Sequence, residues 1–329
     1  MYKDIRALPP VPCMKFLTDD EVASLVDPVK VVEAVERAYI LYSTGRVVMP
    51  VRSRVENREQ GGDILMMPCL VPDMGIFSLK LVTVYPRNLE KGLPTINATV
   101  IALDASTGMP RLVAEARALT GLRTAAATAV SIKHLARRDF TRVGIIGTGY
   151  QARWQMRVVA ANHPHTVFKA YDIDSRRLNE FVTEMGRLGH DVKPSPTAEE
   201  LVRWSDVVIT VTTSKQPVVL KSWVKEGTHI SAIGGYTPEM VEIEPVLVAG
   251  SKLVVDSREA VREEAGDILK PIMLGLMRFE DIYAEIGEIA AGLKPGRIDE
   301  REITVFKSVG LAVQDAATAK LLIDYLMTR

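Results

Sequence analysis

The stretch from Val143 to Ala152 constrains this chain more than any other. A short apolar run there ends in Gly147-Thr-Gly149-Tyr-Gln-Ala152, and the residues beyond it have a helical pattern. Gly147 permits a tight turn, Gly149 lets a pyrophosphate approach the backbone, and Ala152 lets the helix pack closely on the strand. The helix N-terminus adds N–H donors and positive potential for the phosphates. Asp172 ends the next apolar run, 25 residues after Gly147. A carboxylate at that place accepts bonds from a ribose diol and repels a 2′-phosphate. The stretch therefore predicts a dinucleotide site that prefers NAD, while Ser175, Arg176 and Arg177 keep NADP possible.

From Thr141 onward strands and helices alternate, with strands expected at 143–146, 167–171, near Val192, and at 207–211, 229–233 and 253–255. That rhythm predicts an α/β Rossmann unit, a doubly wound parallel sheet, complete by Ser257. What precedes it has a different pattern. Thr18 with Glu21 forms a capping box, and Asp27-Pro28 opens a helix that stops at Gly45. Runs rich in β-branched residues fill Met49 to about Leu103, and an Ala-rich helix follows from about Thr120 to Arg137. This reads as an α+β substrate-binding domain. The last segment, with "FKSVGLAVQDAATAKLLIDYLM", is an amphipathic helix and its approach, expected to return to that domain. The division is then 1–125 plus 305–329 for substrate and 126–304 for the dinucleotide.

The 329 residues include 41 basic and 41 acidic ones, so the formal net charge is zero. That argues against a broad nucleic-acid or membrane footprint and leaves room for a local basic pocket. No apolar run reaches the length of a membrane span, and the first 16 residues lack the apolar core of a signal peptide, so a cytoplasmic protein is expected. Cys13 and Cys69 have no metal-type spacing and read as free thiols. His163-Pro-His165 has no Cys or carboxylate cluster beside it, and no metal site is predicted. His229 reads as a satisfied core residue.

Three basic residues stand in unexpected places. Arg52 and Arg54 alternate on one face of an expected strand. Lys80 is flanked by apolar residues in "IFSLKLVTV", and Arg123 falls in the expected first turn of the Ala-rich helix, where a cation opposes the dipole but an anion is welcome. The planar fork of Arg suits a carboxylate, each charge-assisted bond contributing about 1.5–3 kcal/mol. A buried lysine has a lowered pKa and serves as an acid or base. A solvated face is the competing reading for each of the three.

These pieces occur together with "LMMP" at 65–68, "GLPTINA", "ALDASTGMP", "ALTGLRTAAATA", "GIIGTGYQA" and "SAIGGYTPEM". In this order and spacing the chain resembles the ornithine cyclodeaminase/mu-crystallin family over nearly its whole length. The resemblance implies that Arg52 holds a substrate carboxylate and that Lys80 is the catalytic group, with Met67 and Tyr236 also at the substrate. It implies that Arg123 and Thr124, with Thr95 beside them, line the junction of substrate and cofactor. Gly147, Gly149, Tyr150, Gln151, Ala152, Asp172 and Arg177 would bind the dinucleotide, and Thr212, Thr213 and Gly234 its nicotinamide end. It implies a homodimer through the first domain. Two departures bear on the chemistry. The true cyclodeaminases have carboxylates where this chain has Leu65 and Tyr236, and ornithine would lose those partners. The expectation is therefore NAD(P)-dependent reduction of an α-imino acid, or reductive amination of an α-keto acid. Ornithine cyclodeaminase and a non-catalytic binding protein of the mu-crystallin type are the alternatives.

Overall fold

The computed structural model describes residues 14–328; the Cys13 thiol and nearly all of the segment tested for a signal peptide lie outside the described residues. Thr18 caps α1 (Asp19–Leu25), accepting from the Glu21 N–H at 3.3 Å while Glu21 accepts from the Thr18 N–H at 2.8 Å. Asp27 caps α2 (Pro28–Ser43) through the Val29 N–H at 2.8 Å. The strands β1 (Lys15–Leu17), β2 (Ser53–Asn57), β3 (Gly62–Val71), β4 (Ile76–Val84), β5 (Ile96–Asp104) and β6 (Pro110–Glu115) form one sheet in the order β1-β6-β5-β4-β3-β2. Only the β1–β6 pair is parallel. Side chains alternate across a strand: in β4, Ile76, Ser78 and Lys80 are buried, while Phe77, Leu79 and Leu81 are half-buried on the other face. The short strands β1 and β6 had no period-2 signal strong enough to be expected.

The Ala-rich helix α3 spans Arg117–Leu135 and so begins three residues before the expected Thr120. Thr120 is not a cap; its hydroxyl donates to the Ala116 carbonyl at 2.6 Å. The free N–H of Ala118 is taken instead by Asp19 of α1, at 2.8 Å. Arg123 consequently lies beyond the first turn, which corrects the expectation. Helix-dipole effects fade within that turn, so its charge is answered by a tertiary partner.

The second sheet contains β7 (Arg142–Ile146), β8 (Val167–Tyr171), β9 (Val192–Pro194), β10 (Val207–Thr210), β11 (His229–Ala232), β12 (Lys252–Val255), β13 (Ala284–Glu285) and β14 (Thr304–Lys307). Its order is β13-β12-β14-β11-β10-β7-β8-β9, with every pair parallel. Helices α4 (Tyr150–Asn162), α5 (Ser175–Arg187), α6 (Ala198–Trp204), α7 (Pro245–Ala249), α8 (Arg258–Glu264), α9 (Gly266–Met273) and α10 (Ile286–Ala290) connect its strands. The strand order reverses between β7 and β10, the switch point where ligands bind in such sheets.

The sheet is not complete by Ser257. β14 inserts between β11 and β12, so residues 305–307, expected in the substrate domain, belong to the dinucleotide sheet. Four residues leading into a helix carry too little pattern to separate a buried strand from a helical approach. From β14 the chain leaves the sheet and enters α11 (Ala312–Met327), which packs on β3, β4 and α2 of the first sheet's layer. His229 is fully buried and bonded to Ser131 and Thr304 at 3.1 and 2.9 Å. Among the described residues no helix is long and apolar enough to cross a membrane.

Candidate active site

Three elements bring three charges together where the two sheets meet. Lys80 points from β4 into the interior and is 1% exposed. Its Nζ lies 2.7 Å from Oδ2 of Asp315 on α11. The other oxygen of that carboxylate accepts from Arg123 Nε at 3.1 Å. Arg123 Nη1 donates to Gln314 at 3.1 Å, and the Gln314 amide donates to the Tyr39 hydroxyl at 2.8 Å. Burial pulls the Lys80 ammonium down to about 8; Asp315 opposes the fall, and the charges of Arg123 and Arg52 add to it. A lysine that changes charge near neutrality is suited to proton transfer.

Arg52 lies just before β2, at the edge of a cleft that Met67, Tyr42, Gly310 and Leu311 also line. Its guanidinium is ion-paired with Glu264 at the end of α8. Burial raises the Glu264 carboxyl and Arg52 draws it back. Arg54 turns away and forms a two-bond fork with Asp63 at 2.7 and 2.9 Å, so the two arginines do not act together. Met67 stands directly across from Lys80 in the β3–β4 register. Gly310 has φ +85°, and a Cβ there would lie 2.4 Å from Arg123 Nη1. Only glycine lets this loop pass so close to the guanidinium.

At the head of the second sheet, Gly147 has φ +92° and its missing Cβ would lie 2.9 Å from the Val211 carbonyl. Gly149 is the N-cap of α4, and Ala152 is buried against the sheet. Asp172 Oδ2 accepts from the N–H and hydroxyl of Thr148 at 2.8 and 2.9 Å, and Oδ1 from the Asp174 N–H at 2.9 Å. Tyr150 lies under the Arg117 guanidinium, 5.2 Å away. Gln151 Oε1 is buried with no hydrogen-bond partner among the described residues. Arg177 is exposed and faces Asp174 at 3.5 Å.

Beyond β10 and β11, one carboxylate collects both loops. Glu242 Oε1 accepts from Thr212 N–H and hydroxyl at 2.7 and 2.8 Å, and Oε2 from the N–H groups of Gly234 and Gly235 at 2.7 and 3.2 Å. Burial pushes its pKa up, and the Lys307 charge pulls against that. Thr124 is buried next to Arg123 in α3, whereas Thr213 and Tyr236 are exposed on their loops. Thr95 stands apart. It precedes β5 and bonds through its carbonyl to Tyr85, while Lys80 is paired with Val100. At the usual strand rise, that five-residue offset is about 17 Å.

Asp315, Gln314, Glu242 and Glu264 were not expected as site residues. A signal existed for the first two: adjacent polar residues interrupt an Ala-rich apolar helix face, and a buried carboxylate needs a counter-charge.

The family model for the ornithine cyclodeaminase/mu-crystallin family matches residues 13–328. An alanine dehydrogenase of Archaeoglobus fulgidus is 39% identical over 313 residues, 95% of each chain. The structure of Thermococcus litoralis Δ1-pyrroline-2-carboxylate reductase in complex with NADH and L-proline superimposes with a TM-score of 0.90 at 39% identity, covering 96% of this chain and 98% of that one. An archaeal alanine dehydrogenase dimer with bound NAD gives 0.88 at 38% identity, covering 96% of both chains.

Replacing Asp315 with Asn leaves two buried cations without their counter-charge. The expected cost is about 3–5 kcal/mol, read as a lower urea midpoint; an unchanged midpoint would show that the cluster is not held by this carboxylate.

Proposed function

This chain belongs to the ornithine cyclodeaminase/mu-crystallin family, and we propose that it is an NAD-dependent oxidoreductase that reduces an α-imino acid, or reductively aminates an α-keto acid, to the amino acid. The observation that carries this reading is the buried Lys80–Asp315–Arg123 cluster beside Arg52 and the cleft. The relatives named above, which act on alanine and on a cyclic imine, support it.

The dinucleotide residues fit such a cofactor. The turn at Gly147 and the N-cap at Gly149 leave the backbone open to the pyrophosphate, and Asp172 is placed for a ribose diol. Two backbone amides and a hydroxyl hold Asp172 in place, where its charge disfavours a 2′-phosphate, so NAD is preferred. The cofactor supplies the hydride. Arg52 holds the substrate carboxylate through its fork, exchanging Glu264 for it. Lys80 donates or retains the proton at the substrate nitrogen, which keeps the imine an electrophilic iminium. Arg123 fixes Asp315, and Asp315 fixes Lys80. The balance is imino acid, hydride and one proton giving the amino acid. Leu65 lies on the same face of β3 as Met67, two residues away, and Tyr236 is exposed. Neither offers a carboxylate to a δ-amine, which weighs against ornithine cyclisation. The free, buried Cys69 thiol suits the reducing cytoplasm.

We assign the open face of the first sheet to a homodimer contact. Phe77, Leu79 and Leu81 of β4 face the same side as Ile101 and Leu103 of β5, in cross-strand register, and all five are only half-buried among the described residues. The archaeal relative is a dimer.

Two experiments test this. Purified protein is offered NADH or NADPH with Δ1-pyrroline-2-carboxylate, pyruvate plus ammonia, or oxaloacetate plus ammonia. NADH is oxidised stoichiometrically with one of them and preferred to NADPH, and Lys80→Ala lowers turnover at least about hundredfold while NADH still binds. Because the acid form of Lys80 donates, reduction is full below about pH 8 and falls as pH rises through it. Silence with every substrate despite bound NADH would favour a binding protein, and ammonia release from ornithine without net NADH change would favour the cyclodeaminase. Second, sedimentation gives a dimer for the native chain and a monomer for Leu79→Glu; a native monomer overturns the dimer.

A further inference from the structure

Lys307 ends β14 in the middle of the parallel sheet and is fully buried. Its Nζ lies 2.9 Å from Asp267 Oδ2 and donates to the Gly235 carbonyl at 2.7 Å. Asp267 Oδ1 accepts the backbone N–H groups of Glu242 and Ile243 at 2.7 and 2.9 Å. Glu242, also fully buried, carries the loops after β10 and β11 on its two oxygens. Three backbone N–H donors and the Thr212 hydroxyl meet its two oxygens, and with the Lys307 charge they oppose the burial and the Asp267 charge that push its pKa up. The donor set therefore fits a carboxylate. Glu242 and Asp267 against Lys307 leave one net negative charge sealed under those loops. Among the described residues Lys307 is the only ion-pair partner of the group.

We propose that Glu242 is a positioning residue of the nicotinamide subsite whose buried charge favours the cationic, oxidised ring over the neutral, reduced one. This rests on the reading above, in which the nicotinamide lies at the C-terminal ends of β10 and β11. Holding two loops needs only acceptors of the right shape. A net charge beneath them does something more, because Coulomb forces in a dry interior act over the width of a loop. Asp267 holds the Glu242 backbone N–H and Lys307 the Gly235 carbonyl, which fixes the segment that carries the carboxylate beneath the loops. The device shifts cofactor preference without touching the substrate.

The test compares dissociation constants for NAD+ and NADH, measured by calorimetry on the whole protein without substrate. Glu242→Gln raises the ratio Kd(NAD+)/Kd(NADH) by roughly tenfold, the size expected for loss of one buried charge at close range. Glu242→Asp keeps the charge, so its ratio stays within about twofold of native even where both affinities fall. Lys307→Met removes the positive partner and moves the ratio the other way. Equal weakening of both forms in Glu242→Gln would reduce Glu242 to a loop brace and overturn the proposal, as would no change at all. Should Glu242→Gln fail to fold, Lys307→Met decides, a lower ratio supporting the proposal and an unchanged one overturning it. A native protein that binds neither form would fail the cofactor reading itself, a result distinct from either.

Discussion

One carboxylate, Asp315, holds Lys80 and Arg123 at the same point, and the arrangement of the site follows from it. Each of the three groups is buried, and desolvating each is expensive. The attraction offsets that expense only because both oxygens are used, one per cation. Their elements are far apart in the chain: β4 from the first sheet, α3 from the link between sheets, and α11 from the end. The contact therefore fixes how the two layers meet. The small side chains of α3 and α11 let the helices lie close enough for it to form. It also leaves Lys80 with a pKa near the range where it can trade a proton, because Asp315 only partly offsets the burial.

A related device recurs along the edge of the second sheet. Asp256 accepts from the Ser308 hydroxyl and the N–H groups of Val309 and Gly310 at 2.7, 2.9 and 2.8 Å. That holds the loop whose Gly310 lies against Arg123. Glu242 does the same for the loops after β10 and β11, and Asp172 for the glycine-rich turn. In each case a carboxylate satisfies backbone donors that strand ends leave free. The loops are thereby set before any ligand arrives, the condition under which fixed dipoles assist a reaction.

Much of this was legible where the cause is local. The turn at Gly147–Ala152, the cap at Thr18 and the proline start of α2 depend on neighbours a few residues away, and each stands where its residues imply. The apolar flanks of Lys80 left both a buried and a solvated reading open, and the structure buries it. What was not readable depends on distant partners. Asp19 caps α3 across 99 residues, which moved Arg123 out of the first turn and removed the dipole argument for it. β14 is stabilised by parallel neighbours on both sides, and its four residues carry no signature of that. Arg52 and Arg54 share an alternation in sequence, yet the strand begins between them and sends them to different acids. Asp315 was quoted in a motif but given no role, since nothing near it in the chain shows which cations it meets.

The proposed proton transfer depends on Lys80 sitting at that carboxylate with its proton held weakly. The direct measurement is the titration of its ammonium by nuclear magnetic resonance in protein labelled at lysine Nζ, the signal assigned by its loss in Lys80→Arg. A midpoint at about 8 is the predicted result. Titration near 10.4, the value of a free lysine, would contradict it: the side chain would then be solvated, and the buried cluster would not be the acid of this site.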